Sequence, residues 1–378
     1  MRRIHVAGLS WQRNKHMTNE DIGYNSFFEE ERHRLGWSDV LIARVISESR
    51  GAYRIKDTDG EYLAKVTGKQ IFEASSREDY PAIGDWVTIT KPDREHAVIL
   101  DILPRMTLIK RRGGDRNRTN EKKENQIIAT NIDVVFIVES VDRDYNLNRF
   151  ERYFVIVEDS GAKPAIVLNK TDLLSPEALD EHIKQLKSRF PDIDVIATSV
   201  VSNEGLQNLK DYITYGKTYC FLGSSGVGKS SLINKLLGEN TIKTGDISFY
   251  SGRGKHVTTS RQMYFLNNGG IVIDNPGMRE VGMTDTGRGI DSFFEEISLL
   301  GIGCRYTDCT HMHEPDCAVI NAVNSGTLDP ERYQNFVNLK KEAEHYEMDK
   351  VEKKEKNRRF GKFKKTAKKE LKQFGHKD

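Results

Sequence analysis

Residues 223–230 read Gly-Ser-Ser-Gly-Val-Gly-Lys-Ser, and no other segment narrows the fold as much. This G-x-x-x-x-G-K-S spacing follows a strand-like run at 218–222 and opens a helical pattern over 229–237. Strand, glycine loop and helix in that order let backbone N–H groups surround a phosphate, with the helix N-terminus adding a favourable dipole. Gly223, Ser224, Ser225, Gly226, Val227 and Gly228 are expected to form the cradle. Lys229 is placed to reach the β- and γ-phosphates, and Ser230 to bind Mg²⁺.

The surrounding chain supplies the sheet that such a loop needs. Residues 133–138 are a continuous apolar run, as in a strand buried on both faces. Leu147, Phe150, Phe154 and Val157 then fall on one face of a helix. A strand at 165–168, a polar helix at 176–188, a strand at 194–198 and a short helix through Leu206, Leu209 and Ile213 follow. A hairpin, 263–266 and 271–274, turns through Asn267-Asn268-Gly269-Gly270. Buried strands alternating with helices predict a doubly wound α/β domain over 127–285.

Two further segments select the nucleotide. Asn169-Lys170-Thr171-Asp172 stands directly after a buried strand. A carboxylate at Asp172 can accept from both N1–H and the 2-amino group of guanine, a donor pair that adenine lacks. The backbone around Ala197-Thr198-Ser199 is expected to offer N–H groups to the guanine O6. Asp274-Asn275-Pro276-Gly277 closes the set, with Asp274 reaching Mg²⁺ through water and the Gly277 N–H sensing the γ-phosphate. Residues 252–259 read as a flexible first switch whose metal-binding hydroxyl is Thr258 or Thr259. The order is unusual, because N-K-T-D precedes the glycine loop and D-N-P-G follows it. The same sheet with that chain order is a circularly permuted P-loop GTPase domain.

Four cysteines are present, three of them within 304–317, which is no disulfide framework. Cys304-x₄-Cys309-x-His311-x₅-Cys317 suits a closed tetrahedral Zn²⁺ site of structural type; His313 competes with His311, and His311 is favoured. Cys220 lies in a buried strand and reads as core. This zinc-binding helical domain is expected over 286–345.

Upstream, short alternating runs at 40–46, 52–55, 62–66, 86–89 and 98–100 predict five strands punctuated by turns. Five strands over 37–109 suit a small OB-fold β-barrel, which often holds oligonucleotides. Residues 1–36 are polar with little periodicity and read as a loosely ordered extension, and 110–125 as a mobile loop or linker.

The 378 residues carry Lys+Arg 58 against Asp+Glu 56, a net charge of +2, so no global imbalance dictates a partner. Charge is concentrated locally. The basic tail, 346–378, holds 13 Lys/Arg and 4 acids from residue 350 onward. Such a block is a solvated tail or a polyanion-binding arm. Phe360, Phe363 and Phe374 among the lysines favour RNA, whose unpaired bases stack on aromatics. No window is long and apolar enough for a membrane span, and the N-terminus lacks a signal-peptide core. A soluble, cytoplasmic multidomain protein is expected, with no membrane partner.

The permuted order, the Cys₃His cluster straight after D-N-P-G and the preceding barrel closely resemble the ribosome small-subunit-dependent GTPase A family (RsgA). Asn146-Leu147-Asn148-Arg149, Gly254-Lys255-His256 and Cys309-Thr310-His311 extend the resemblance, which covers residues 37–345. It implies a GTPase stimulated by the small ribosomal subunit, acting in late maturation of that subunit with contacts to its rRNA, as a monomer. It implies GTP or GDP held by Asn169 to Asp172 and Gly223 to Ser231, with zinc on Cys304, Cys309, His311 and Cys317. Mg²⁺ would accompany GTP on Ser230 and Thr259. Met278 stands where many GTPases carry a water-orienting Gln, and a thioether cannot polarise water. The resemblance assigns that catalytic role to His256.

Overall fold

The computed structural model describes residues 17–49, 51–112, 125–142, 145–238, 242, 261–275 and 287–347. The expected loose extension is ordered within this set. A 3-10 turn, Glu20–Ile22, leads into α1 (Ser26–Arg34), whose N-cap Asn25 accepts from the Phe27 N–H. Ile22, Tyr24 and Phe28 are buried against Trp86 and Leu103. The nine-residue helix buries only Phe28, so it leaves no apolar stripe for a periodicity argument to find.

Strands β1 (Ile42–Ser49), β2 (Ala52–Lys56) and β3 (Glu61–Val66) are followed by α2 (Gly68–Glu73), then β4 (Trp86–Thr90) and β5 (His96–Ile102). They pair in the order β1-β2-β3-β5-β4, and β4 returns to β1, which closes the barrel. Only the β3–β5 pairing is parallel. Val45, Tyr53, Ile55, Ala64, Val87, Ile89 and Ile99 fill its interior. The closed five-stranded barrel is OB-like, as expected.

The supposed linker begins and ends as a hairpin. β6 (Leu108–Arg112) pairs antiparallel with β7 (Asn125–Thr130), and residues 113–124 between them lie outside the described set. Ile109, Ile127 and Ile128 are buried, which draws both strand ends onto the core despite the polar sequence around them.

The second sheet carries the phosphate loop. Its elements are β8 (Val134–Ser140), α3 (Leu147–Ser160), β9 (Lys163–Asn169), α4 (Pro176–Arg189), β10 (Val195–Ala197), α5 (Leu206–Tyr212), β11 (Thr218–Leu222), α6 (Lys229–Leu237), β12 (Gln262–Phe265) and β13 (Ile271–Asp274). Strand order is β10-β9-β8-β11-β13-β12, parallel except for the β12–β13 hairpin. The chain builds outward from β8 to β10, then returns to the other side of β8 with β11. That reversal is a switch point, and it leaves Asn169, Gly223 and Asp274 at the carboxyl ends of parallel strands on one edge. A single register pair, Ser47 with Gln262, joins this sheet to the barrel.

Four helices complete the described chain: α7 (Gly287–Phe293), α8 (Glu295–Gly301), α9 (Ala318–Asn324) and α10 (Pro330–Glu347). α7 packs closely on α3, since a β-carbon at Gly289 would lie 2.3 Å from the Val155 carbonyl. Glu151 of α3 is fully buried and is met by Arg189 at 2.9 Å, Arg332 at 3.0 Å and Asn335. A buried carboxylate needs such partners, and here they tie α3 to α4 and α10. Among the described residues no helix is long and apolar enough to cross a membrane.

Candidate nucleotide site and metal cluster

β11 delivers the chain into the glycine loop, and the loop's backbone leaves no room for side chains at its ends. Gly223 has φ +147° and a β-carbon there would lie 2.1 Å from the Val138 carbonyl. Gly228 has φ +100° and faces the Asn169 amide, which a β-carbon would approach to 2.3 Å. Lys229, the first residue of α6, is buried and its Nζ donates to the carbonyls of Gly223 at 2.8 Å and Ser224 at 2.7 Å. Burial pushes its pKa down to about 8, against the pull of Asp274 and Glu139. Its hydrogen bonds among the described residues go to carbonyls, and a phosphate would supply an anionic partner.

Ser230 Oγ donates to Asp274 Oδ2 at 3.3 Å. Burial pushes the Asp274 carboxyl up, and its Oδ1 finds no hydrogen-bond partner among the described residues. An orphaned buried carboxylate oxygen beside a hydroxyl fits a hydrated divalent cation, so Ser230 and Asp274 are the described groups suited to Mg²⁺. Cys220 behind them is core, accepting from Asn275 Nδ2 at 2.8 Å.

On the base side, Asn169 is buried and points across the site rather than outward. Its Nδ2 donates to the Val227 carbonyl at 2.8 Å, and its Oδ1 accepts from Thr198 Oγ1 at 3.2 Å. Lys170 takes the left-handed conformation (φ +62°) and its Nζ meets Asp142 at 2.8 Å. Thr171 begins a 3-10 turn that presents Asp172, whose Oδ1 accepts from Ser199 Oγ at 2.5 Å. The N–H groups of Thr198 and Ser199 donate to the carbonyls of Leu168 at 2.8 Å and Glu204 at 3.0 Å, and the Ser199 hydroxyl orients the Asp172 carboxylate.

Motif spacing assigns no role to Arg149 or Glu139, although Arg149 Nη1 is 3.4 Å from Ser224 Oγ and 3.6 Å from Glu139. Of the two, only Arg149 falls in a stretch that the sequence singles out, N-L-N-R at 146–149. His256, Thr258, Thr259, Gly277 and Met278 lie outside the described residues, as does the tail from 348 onward.

The ligand atoms of Cys304, Cys309, His311 and Cys317 all lie within 4.8 Å of one another. Metal–sulfur bonds of ~2.3 Å and a metal–nitrogen bond of ~2.0–2.1 Å make tetrahedral edges of about 3.8 Å between sulfurs and about 3.5 Å from sulfur to nitrogen. The observed separations are 3.8 Å for Cys304 to Cys317, and 3.5 Å from His311 Nδ1 to each of those sulfurs. The four side chains can hold one tetrahedral ion. Tyr333 Oη fixes the His311 carbonyl at 2.7 Å. His313 is exposed and outside the cluster; its N–H, with those of Thr310 and Met312, donates to Glu314.

A family model described as RsgA GTPase matches residues 102–284. Small ribosomal subunit biogenesis GTPase RsgA 1 of Bacteroides thetaiotaomicron is 36% identical over 365 residues, spanning 95% of this chain and 100% of that protein. The chain belongs to the RsgA GTPase family. RsgA 2 of Lactiplantibacillus plantarum is 41% identical over 342 residues, 89% of this chain and 93% of that one. The crystal structure of YjeQ from Thermotoga maritima superposes with a TM-score of 0.58 at 25% identity, covering 79% of this chain and 96% of that one. Membership makes the protein a GTP-hydrolysing enzyme, and the site described above has the parts such an enzyme needs: a phosphate loop, a base-side carboxylate and a carboxylate–hydroxyl pair.

Proposed function

We propose that the protein binds the small ribosomal subunit and assists its late maturation, hydrolysing GTP to GDP and phosphate with stimulation by the subunit. The observation that carries the nucleotide part is the Asn169 amide on the Val227 carbonyl, which fixes the base-side turn against the phosphate loop. The relatives named above supply the ribosomal part through their own description as small ribosomal subunit biogenesis GTPases.

In this reading Asp172 accepts from the guanine donors while Ser199 holds its orientation. Loop N–H groups from Gly223 to Ser231 and the Lys229 amine bind the phosphates. Mg²⁺, held by Ser230, Asp274 and Thr259, supplies charge neutralisation at the phosphate oxygens when bound. The Cys304, Cys309, His311 and Cys317 cluster takes structural Zn²⁺, leaving no open coordination position. Gly277 reads the terminal phosphate, and His256 orients the attacking water on the subunit. The barrel and the basic tail contact rRNA, and the protein works in the cytoplasm as a monomer.

Turnover of purified protein with GTP at fixed Mg²⁺ and salt, alone and with small or large ribosomal subunits, tests this. Stimulation of roughly tenfold or more by small subunits alone is expected. Equal slow rates in all three samples would mean that the subunit is not the activator, and that GTP serves an RNA-binding scaffold as a timing ligand. Full stimulated turnover by His256→Ala would remove the catalytic assignment of that histidine.

A further inference from the structure

The segment Asn146-Leu147-Asn148-Arg149 caps and opens α3, with Asn146 Oδ1 accepting from the Asn148 N–H, and the mechanism above gives it no task. Its arginine reaches the phosphate loop. Arg149 Nη1 lies 3.4 Å from Ser224 Oγ and 3.6 Å from Glu139 Oε2. Glu139 is fully buried at the end of β8, whereas a third of the Arg149 side chain is exposed. Ser224 is thus gripped by α3 through its side chain, while its carbonyl receives Lys229 Nζ at 2.7 Å. A phosphate cradle uses backbone N–H groups and does not need a hydroxyl at this position. The hydroxyl is what lets a neighbouring helix hold the loop.

We propose that Arg149 is a positioning residue for GTP hydrolysis, which acts by holding the Ser224 hydroxyl and thereby setting the first turn of the phosphate loop against Lys229. Glu139 Oε2 faces the guanidinium at 3.6 Å. The same helix, within one further turn, is bound to the C-terminal helix. Glu151 receives Arg332 and Asn335, and Arg152 forms a two-pronged pair with Glu342 at 2.8 and 2.6 Å. This proposal rests on the GTPase reading and adds to it a residue outside the nucleotide motifs.

The test is steady-state hydrolysis of GTP, with GDP affinity measured separately, on full-length wild type, Arg149→Lys, Arg149→Gln, Ser224→Ala and the Arg149→Gln/Ser224→Ala pair. Misplacement of a catalytic constellation lowers turnover steeply, so Arg149→Gln and Ser224→Ala should each lower kcat by roughly tenfold, with KM and GDP affinity within about twofold of wild type. The double variant should be no worse than the weaker single one, because both remove one contact. Arg149→Lys should recover most of the loss. Arg149→Gln alone leaves Glu139 buried beside a neutral group, so Glu139→Gln/Arg149→Gln is measured too and should show the same kcat loss with the wild-type Tm. Multiplying losses in the double variant, wild-type kcat in Glu139→Gln/Arg149→Gln, or parallel loss of GDP affinity would each overturn the proposal. A wild-type protein that neither binds nor hydrolyses GTP would instead overturn the GTPase reading beneath it.

Discussion

Asn169 and Val227 are 58 positions apart in the chain and are joined by a 2.8 Å hydrogen bond from the asparagine amide to the valine carbonyl. Asn169 ends β9 and Val227 lies in the loop that follows β11, two strands that are not neighbours because β8 lies between them. The side chain thus closes a gap at the sheet's carboxyl edge that backbone pairing leaves open. Gly228 is fitted to it, since a β-carbon there would strike the same amide nitrogen. The base side and the phosphate side are thus tied by a contact within the protein, which reduces the ordering that binding requires.

Asn169→Ala should uncouple the two sides. The Val227 carbonyl and the Thr198 hydroxyl both lose a buried partner, a cost of about 1–3 kcal/mol. Thermal unfolding should fall by several degrees, and affinity for GTP and GDP should drop together because the platform serves both. Equal GDP affinity in the variant and wild type, measured by titration, would show that the loop holds its position without this tie.

Asp172→Asn tests the choice of base. The carboxylate, oriented by Ser199 Oγ at 2.5 Å, is replaced by an amide that offers one donor to a ring edge presenting two donors. Leaving such a pair mismatched in a site costs about 2–4 kcal/mol, or roughly 30- to 1000-fold in GTP affinity. Xanthosine triphosphate, which carries a carbonyl in place of the 2-amino group, should bind the variant better than GTP does. Competition between the two nucleotides reads out the reversal, and retained GTP preference would place guanine recognition elsewhere.

How much could be read beforehand follows from how local each feature is. The glycine loop, its strand at 218–222 and its helix at 229–237 depend on neighbouring residues only, and they occur where expected. Cys304, Cys309, His311 and Cys317 also lie within one short stretch, and the structure brings their ligand atoms within 4.8 Å of one another. Glu151 was not readable. On a helix that also carries Arg149, Arg152, Glu158 and Asp159 it resembles one more solvent-facing charge, and its partners Arg189, Arg332 and Asn335 stand 38, 181 and 184 positions away. Arg44 is the same case in β1. It is fully buried, and the carbonyls of Ile22, Gly84 and Asn131 and the hydroxyl of Thr218 accept from it. Those partners come from the N-terminal segment, the barrel and the nucleotide-binding sheet. A charge that only tertiary contacts can satisfy leaves no periodic signal.

Cys317→Ser should remove the metal and loosen the C-terminal helices. Cys317 is buried in the main core cluster beside Val319 and Ala322, so its loss acts on packing as well as coordination. Elemental analysis should find one zinc per wild-type chain and substantially less in the variant. Losing a coupled ion and its packing by about 2–4 kcal/mol corresponds to a Tm lower by roughly 5–15 °C. Chelation of the wild type should produce the same shift, reversed by adding zinc back. An unchanged Tm on full removal of the metal would mean that the four side chains do not support the fold through an ion.

Lys229 links nucleotide binding to pH. Burial in the fold pushes its pKa down to about 8, from the ordinary value of 10.5. Between those two values the unfolded chain holds more protons at this position than the folded one, so this group's contribution to stability improves as pH rises through the window. Below pH 8 the buried charge opposes folding by about 3 kcal/mol, since a tenfold change in proton affinity corresponds to ~1.4 kcal/mol. Lys229→Met, which keeps the length and removes the charge, should therefore unfold at a higher temperature than wild type at pH 7 without nucleotide. The difference should shrink as pH is raised towards 10. Phosphates reverse the sign, because they favour the charged amine and raise its pKa in the complex. Affinity for GDP should then be flat below pH 8 and fall by up to about tenfold per pH unit above it, through proton uptake on binding. Titrations between pH 7 and 9.5 measure this directly. A flat profile would show that the amine is already protonated in the free protein across that range, and that the loop carbonyls of Gly223 and Ser224 hold it as a cation without help from the nucleotide.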